Sequence, residues 1–99
     1  MPQVMVRYTV KPDRVQENEQ LVRAVYEELH RSNPAGLRYA TFRLDDGLTF
    51  VHVAVIDGDG DLLAQVEAFQ RFKRDLADRC EEPPVRSEMD EIGTFRVFA

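Results

Sequence analysis

Leu48-Thr49-Phe50-Val51-His52-Val53-Ala54-Val55-Ile56 is the stretch on which the fold turns. Its alternate positions read Leu48, Phe50, His52, Ala54, Ile56 on one side and Thr49, Val51, Val53, Val55 on the other, both mainly apolar. A strand in a sheet that is wet on one side shows a polar row at every second residue, so a strand here must be covered on both faces. Before it, Leu37 to Leu44 reads as another strand, and Asp45-Asp46-Gly47 between them is a hairpin signal, which makes the two antiparallel neighbours. Further upstream, Val4, Val6, Tyr8 and Val10 alternate with Met5, Arg7 and Thr9 in a first strand. Lys11-Pro12 breaks it, and Asp13 is expected to cap a helix with apolar positions at Val15, Leu21, Val22, Val25 and Leu29. Ser32-Asn33-Pro34-Ala35-Gly36 ends that helix. Downstream, the loop Asp57-Gly58-Asp59-Gly60-Asp61 feeds a second helix striped by Leu62, Leu63, Val66, Phe69, Phe72, Leu76 and Cys80. Glu81-Glu82-Pro83-Pro84 is expected to stop it, and Val85 to Phe98 to form a fourth strand bent at Gly93.

The order is βαββαβ, an α+β, ferredoxin-like fold: a four-stranded antiparallel sheet with two helices on one face, in a single domain spanning residues 1–99. The helices cover one face of the third strand; the other needs a cover of its own. A second copy of the chain, docked sheet to sheet, is the simplest cover, so a homodimer through the open sheet face is predicted. The net charge of −5 argues against nucleic acid and against an anionic membrane surface as partners. A single cysteine, Cys80, makes no internal disulfide, and the first ten residues lack the pattern of a secretion signal, which together point to a cytoplasmic protein. No apolar run reaches the length of a membrane span.

Val6-Arg7-Tyr8-Thr9-Val10-Lys11-Pro12 opening into an acidic helix, Gly36-Leu37-Arg38-Tyr39 entering the second strand, Phe50-Val51-His52-Val53, Phe69-Gln70-Arg71-Phe72, and Glu82-Pro83-Pro84 leading to Ile92-Gly93-Thr94-Phe95-Arg96 follow one another in this order. Together they resemble the antibiotic biosynthesis monooxygenase-like branch of the dimeric α+β barrel superfamily over nearly the whole chain. The resemblance implies a dimeric barrel, a pocket between sheet and helices in each subunit, and oxygenation of quinol or aromatic polyketide-like substrates without a cofactor. Where that family carries a functional Asn, Trp and His, this chain is expected to hold Val6, Leu63 and Lys73, and it has no Trp. A haem-degrading activity does not fit those replacements.

His52 is the candidate catalytic residue, an imidazole able to take a proton from a phenolic substrate; the alternative is a core or interface histidine satisfied by a neighbour. Tyr8 shares a face with Val4 and Val6 and is the candidate to orient a polar ligand, against a half-buried tyrosine bonded to backbone. Phe69 and Phe72, with Phe42 or Phe50 opposite, are candidates to stack on a planar aromatic ligand, against plain core packing. The acidic loop at 57–61 lacks the Gly and Glu of a calcium loop, since Leu62 and Ala68 stand at those positions, and reads as a turn with a helix cap. Glu27 and Glu28 are expected on a solvated face. Arg7, Arg38, Arg43 and Arg96 are expected to pair with acids such as Glu88, Asp90 and Glu91, and Cys80 to be buried and inert. No metal cluster, phosphate loop or Ser/His/Asp order is present in the sequence. Two functions are consistent with these residues: a cofactor-independent monooxygenase, or a non-catalytic module that binds a small molecule or a protein.

Overall fold

β-branched and aromatic residues in alternation put Gln3–Val10 into strand β1, Leu37–Arg43 into β2 and Thr49–Ile56 into β3. Cys80–Met89 forms β4. The computed structural model describes residues 3–56 and 62–97, so the acidic loop expected at 57–61 lies outside the described residues. The four strands are antiparallel in the order β2-β3-β1-β4, the split βαβ arrangement that the sequence predicts. The β2–β3 turn is fixed by Gly47 at φ +75° and by Asp46, whose carboxylate accepts the N–H groups of Leu48 and Thr49 at 2.8 Å. Bonds from the Thr49 hydroxyl and these two amides hold the Asp46 carboxyl below its usual range.

Helix α1, Val15–Ser32, places its apolar stripe against the sheet. Asp13 does not cap it. Pro12 draws residues 12–14 into a short 3-10 turn, and Arg14 precedes the helix and pairs with Glu17 at 2.7 Å. At the other end Asn33 adopts the left-handed conformation and donates its N–H to the Leu29 carbonyl at 2.7 Å.

The second helical run, expected to be continuous, is broken into a 3-10 turn at Leu63–Gln65, helix α2 at Glu67–Arg74 and a single turn α3 at Leu76–Arg79. Val66 is extended between the first two pieces. The break has a partner: the Glu28 carboxylate reaches across from α1 and accepts the N–H groups of Glu67 at 3.1 Å and Ala68 at 2.9 Å. It takes two of the unpaired donors that open α2. Glu28 is therefore a cap supplied from another helix, not part of a solvated face.

The last strand departs furthest from expectation. It starts at Cys80 and ends at Met89, so Cys80 heads a strand instead of closing a helix stripe, and Gly93 lies beyond the sheet. Pro83 and Pro84 do not stop the chain. Arg7 pairs with Val85 and Thr9 with Glu82, which leaves the two prolines opposite Tyr8 in a bulge on the edge strand, where their missing N–H groups cost little. Residues 90–97 leave the sheet, with Ile92 97% and Phe95 80% exposed. Arg96 lies against the Phe95 ring, and Arg43 pairs with Glu19 instead of the C-terminal acids.

Tyr8, Val10, Val22, Val25, Phe50, Val66, Ala68 and Phe72 make one buried cluster. The helices therefore cover the face of β3 that carries Phe50 and His52, and Val51, Val53 and Val55 point to the other side. Replacing Glu28 with Ala should lower unfolding stability by about 1 kcal/mol, the ordinary worth of a helix cap, as read from urea midpoints.

Candidate functional site

His52 stands in the middle of β3, flanked by Val6 of β1 and Thr41 of β2, and its ring is enclosed beneath the helices at 5% exposure. Both ring nitrogens are engaged. Nε2 lies 2.8 Å from the Tyr8 hydroxyl; Nδ1 lies 2.6 Å from the Tyr39 hydroxyl and 3.0 Å from that of Thr41. The ring packs on Phe72 at 5.2 Å and Tyr8 at 5.3 Å between centroids, and Tyr8 in turn stacks on Phe50 at 5.7 Å. Phe69 meets Tyr39 edge-on at 6.4 Å.

The hydrogen bonds continue in both directions. Inward, Asn18 Nδ2 donates to Tyr8 Oη at 3.0 Å, and Asn18 Oδ1 accepts from Arg79 Nε at 3.0 Å. Arg79 has no exposed surface; its Nη2 donates to the Phe72 carbonyl at 2.8 Å, its guanidinium lies over the Phe72 ring, and Nη1 has no hydrogen-bonding partner among the described residues. Outward, the Thr41 hydroxyl lies 2.7 Å from that of Tyr26. Tyr26 and Thr41 open onto a cleft of about 240 Å³ between α1 and β2, bordered also by Glu19, Arg23, Arg43 and Phe50. Six side chains thus link a buried cation to the wall of a cleft: Arg79, Asn18, Tyr8, His52, Thr41 and Tyr26.

Burial governs the titration of this line. It pushes the His52 pKa from 6.5 down to about 4, so the imidazole is neutral at pH 7, and it raises the Tyr8 and Tyr39 phenols above their ordinary value. The Arg79 guanidinium is lowered by the same cause yet stays charged. Cys80, expected to be buried, is half-buried, and desolvation raises its thiol pKa.

Of the residues singled out from the sequence, Tyr8, His52 and Phe72 meet in the core, and Phe69 stands at its edge on Tyr39. Phe50 borders the cleft, whereas Phe42 is on the opposite face of the sheet. Asn18, Tyr26, Thr41 and Arg79 do not stand out in the sequence as site residues, and Tyr39 stands out only as part of the Gly36-Leu37-Arg38-Tyr39 stretch. Asn18 had a signal, because it falls on the helix stripe three residues after Val15 and four before Val22. Tyr39 and Thr41 share the strand parity that faces the helices, but a strand pattern alone does not say which parity that is.

By sequence, the chain matches no family profile and no curated protein. Its fold, however, is that of a set of solved structures, several of them described as antibiotic biosynthesis monooxygenases. A candidate antibiotic biosynthesis monooxygenase from Nitrosomonas europaea superposes with a TM-score of 0.75 at 18% identity, over 94% of this chain and 100% of the other. PA3566 from Pseudomonas aeruginosa gives 0.71 at 19% identity, over 93% and 95%. SnoaB, a cofactor-independent oxygenase from Streptomyces nogalater solved as a point mutant, gives 0.67 at 18% identity, over 97% of both chains. The antibiotic biosynthesis monooxygenase-like architecture thus extends over nearly the whole chain.

The depressed His52 pKa has a stability consequence. The unfolded chain takes up the proton first, so this group's contribution is complete above pH 6.5 and is lost as pH falls toward 4. The wild type should lose about 3 kcal/mol more than His52→Gln over that interval, measured by urea unfolding of both proteins across pH.

Proposed function

We propose that the protein is a homodimeric, cofactor-independent monooxygenase acting on an electron-rich phenol or quinol bound in the cleft between α1 and β2. The observation that carries this reading is the position of Thr41: its hydroxyl is 3.0 Å from His52 Nδ1 and 2.7 Å from Tyr26 Oη while it lines the cleft. A ring lying on Phe50 would bring its oxygen to these hydroxyls, beside the guanidiniums of Arg23 and Arg43. Donors and positive charge there favour the phenolate over the phenol.

The chemistry draws its electrons from the substrate. The phenol gives its O–H proton to water in the open cleft, and the phenolate passes one electron to dioxygen. The resulting radical and superoxide join at a ring carbon that bears hydrogen; the peroxide is protonated and loses water, leaving a carbonyl at that carbon. An imidazole with a pKa near 4 is a weak base toward a phenol, so His52 acts in this scheme through its Nδ1 side, supporting the hydroxyls that hold the anion. Tyr8, Phe69 and Phe72 act on the ligand indirectly, by enclosing the imidazole and Tyr39.

A specific observation favours a second reading, a non-catalytic binding module: both nitrogens of His52 are already satisfied and the protein's own aromatic rings fill the space around it. Oxygen consumption separates the two. With a panel of quinols and aromatic polyketides the wild type should consume dissolved oxygen, and folded His52→Ala and Thr41→Val should be slower by at least about tenfold, the usual cost of removing a donor to a developing anion. Silence from the wild type across the panel would decide for the binding module.

The dimer is proposed through Met5, Ala40, Val51, Val53 and Val55 on the face away from the helices, with 61%-exposed Val85 beside them. A two-fold copy would bury this face, and the exposed Ile92 and Phe95 add apolar surface for it. Light scattering should give twice the 11.4 kDa chain mass for the wild type and the single-chain mass for Val53→Glu. A cytoplasmic location is part of the same proposal. No helix among the described residues is long and apolar enough to cross a membrane.

A further inference from the structure

Two hydrogen bonds at the buried end of the line can run in only one direction. A guanidinium only donates, so Arg79 Nε gives its hydrogen to Asn18, and the atom that takes it is Oδ1. That orients the Asn18 amide, whose Nδ2 then has to donate to Tyr8 Oη. Tyr8 owns one hydrogen. Tyr8 is buried, and His52 Nε2, 2.8 Å away, is the acceptor its hydroxyl meets among the described residues, so the hydrogen turns there. Nε2 is therefore bare, and the neutral ring carries its hydrogen on Nδ1.

Counting hydrogens carries the argument to the cleft. Nδ1 touches the hydroxyls of Tyr39 and Thr41, and Thr41 touches Tyr26. Were Nδ1 bare, these contacts would consume all three hydroxyl hydrogens internally. With a hydrogen on Nδ1, that one hydrogen goes to one of the two hydroxyls or is shared between them, no hydroxyl donates to Nδ1, and at least one hydroxyl hydrogen is left over. One arrangement that uses it has Thr41 donate to Tyr26 and Tyr26 offer its own hydrogen to the cleft it borders. The rim agrees in sign: Arg23 and Arg43 both face the single carboxylate of Glu19, a local excess of positive charge on a chain of net charge −5.

We infer that Arg79 and Asn18 are positioning residues that hold His52 in the Nδ1–H tautomer, and that the cleft is thereby built to bind the ionised oxygen of a phenol. The nature of the ligand rests on the phenolic reading above; the tautomer does not. Replacing Asn18 with Asp reverses the line with little change of shape. A carboxylate at that position accepts from both Arg79 and Tyr8, so Tyr8 must accept from His52 and the ring hydrogen moves to Nε2.

Long-range proton–nitrogen correlation on the isotope-labelled full chain reads the tautomer directly, with exposed His30 as the internal comparison. The expected result is Nδ1–H in the wild type and Nε2–H in Asn18→Asp; Nε2–H in the wild type, or no change in the variant, overturns the inference. The second measurement is the absorption of 4-nitrophenol added below its own pKa in water. The wild type should bind it with the phenolate band, and Asn18→Asp should bind about tenfold more weakly. Binding of the un-ionised probe overturns the ligand assignment even where the tautomer is as stated. No binding by a wild type with the Nδ1–H tautomer overturns that assignment and the phenolic reading together.

Discussion

Arg79 is a guanidinium taken out of water, and the partners found for its Nε and Nη2 hydrogens organise the interior, while Nη1 has none among the described residues. Asn18 Oδ1 and the Phe72 carbonyl are those partners, and the Phe72 ring covers a face of the cation. These contacts tie three elements together: α3, which carries Arg79, α1, which carries Asn18, and α2, which carries Phe72. Through Asn18 the same constraint reaches Tyr8 on β1 and then His52 on β3. A core made only of aliphatic side chains would pack the helices on the sheet equally firmly, but it would leave the imidazole with no fixed orientation.

The second organising constraint is that β3 is apolar on both faces while the chain has helices for only one. Phe50 and His52 take the helix side. The valines on the other side remain as a flat apolar row, continued by Met5 on β1 and Ala40 on β2. The Tyr8–His52 hydrogen bonds thus lie between sheet and helices, and the row of Met5, Ala40, Val51, Val53 and Val55 lies on the far side, so the two do not share residues.

Much of the architecture is legible in the sequence because strand alternation and turn chemistry are local signals. Asp46 and Gly47 announce the hairpin, and Gly36 the reversal after α1, from their own residue types. The last strand is not legible, since Pro83 and Pro84 read as a stop unless their place on the sheet edge, opposite Tyr8, is known. Glu28 looks solvated because its two partners lie 39 and 40 residues away. The site is half legible. Tyr8 and His52 stand out as polar groups in apolar strands, whereas Arg79 looks like any surface arginine until Asn18, 61 residues earlier, is seen to receive it.

The proline pair on β4 has a further consequence. An exposed sheet edge is a template on which another chain can add a strand, and repeated addition leads to open-ended aggregation. Pro83 and Pro84 put two residues without a backbone donor into this edge strand, in a stretch already irregular at the bulge. An incoming strand could not run through it in register. The prolines thus guard one of the two edges of the β2-β3-β1-β4 sheet against strand-by-strand growth.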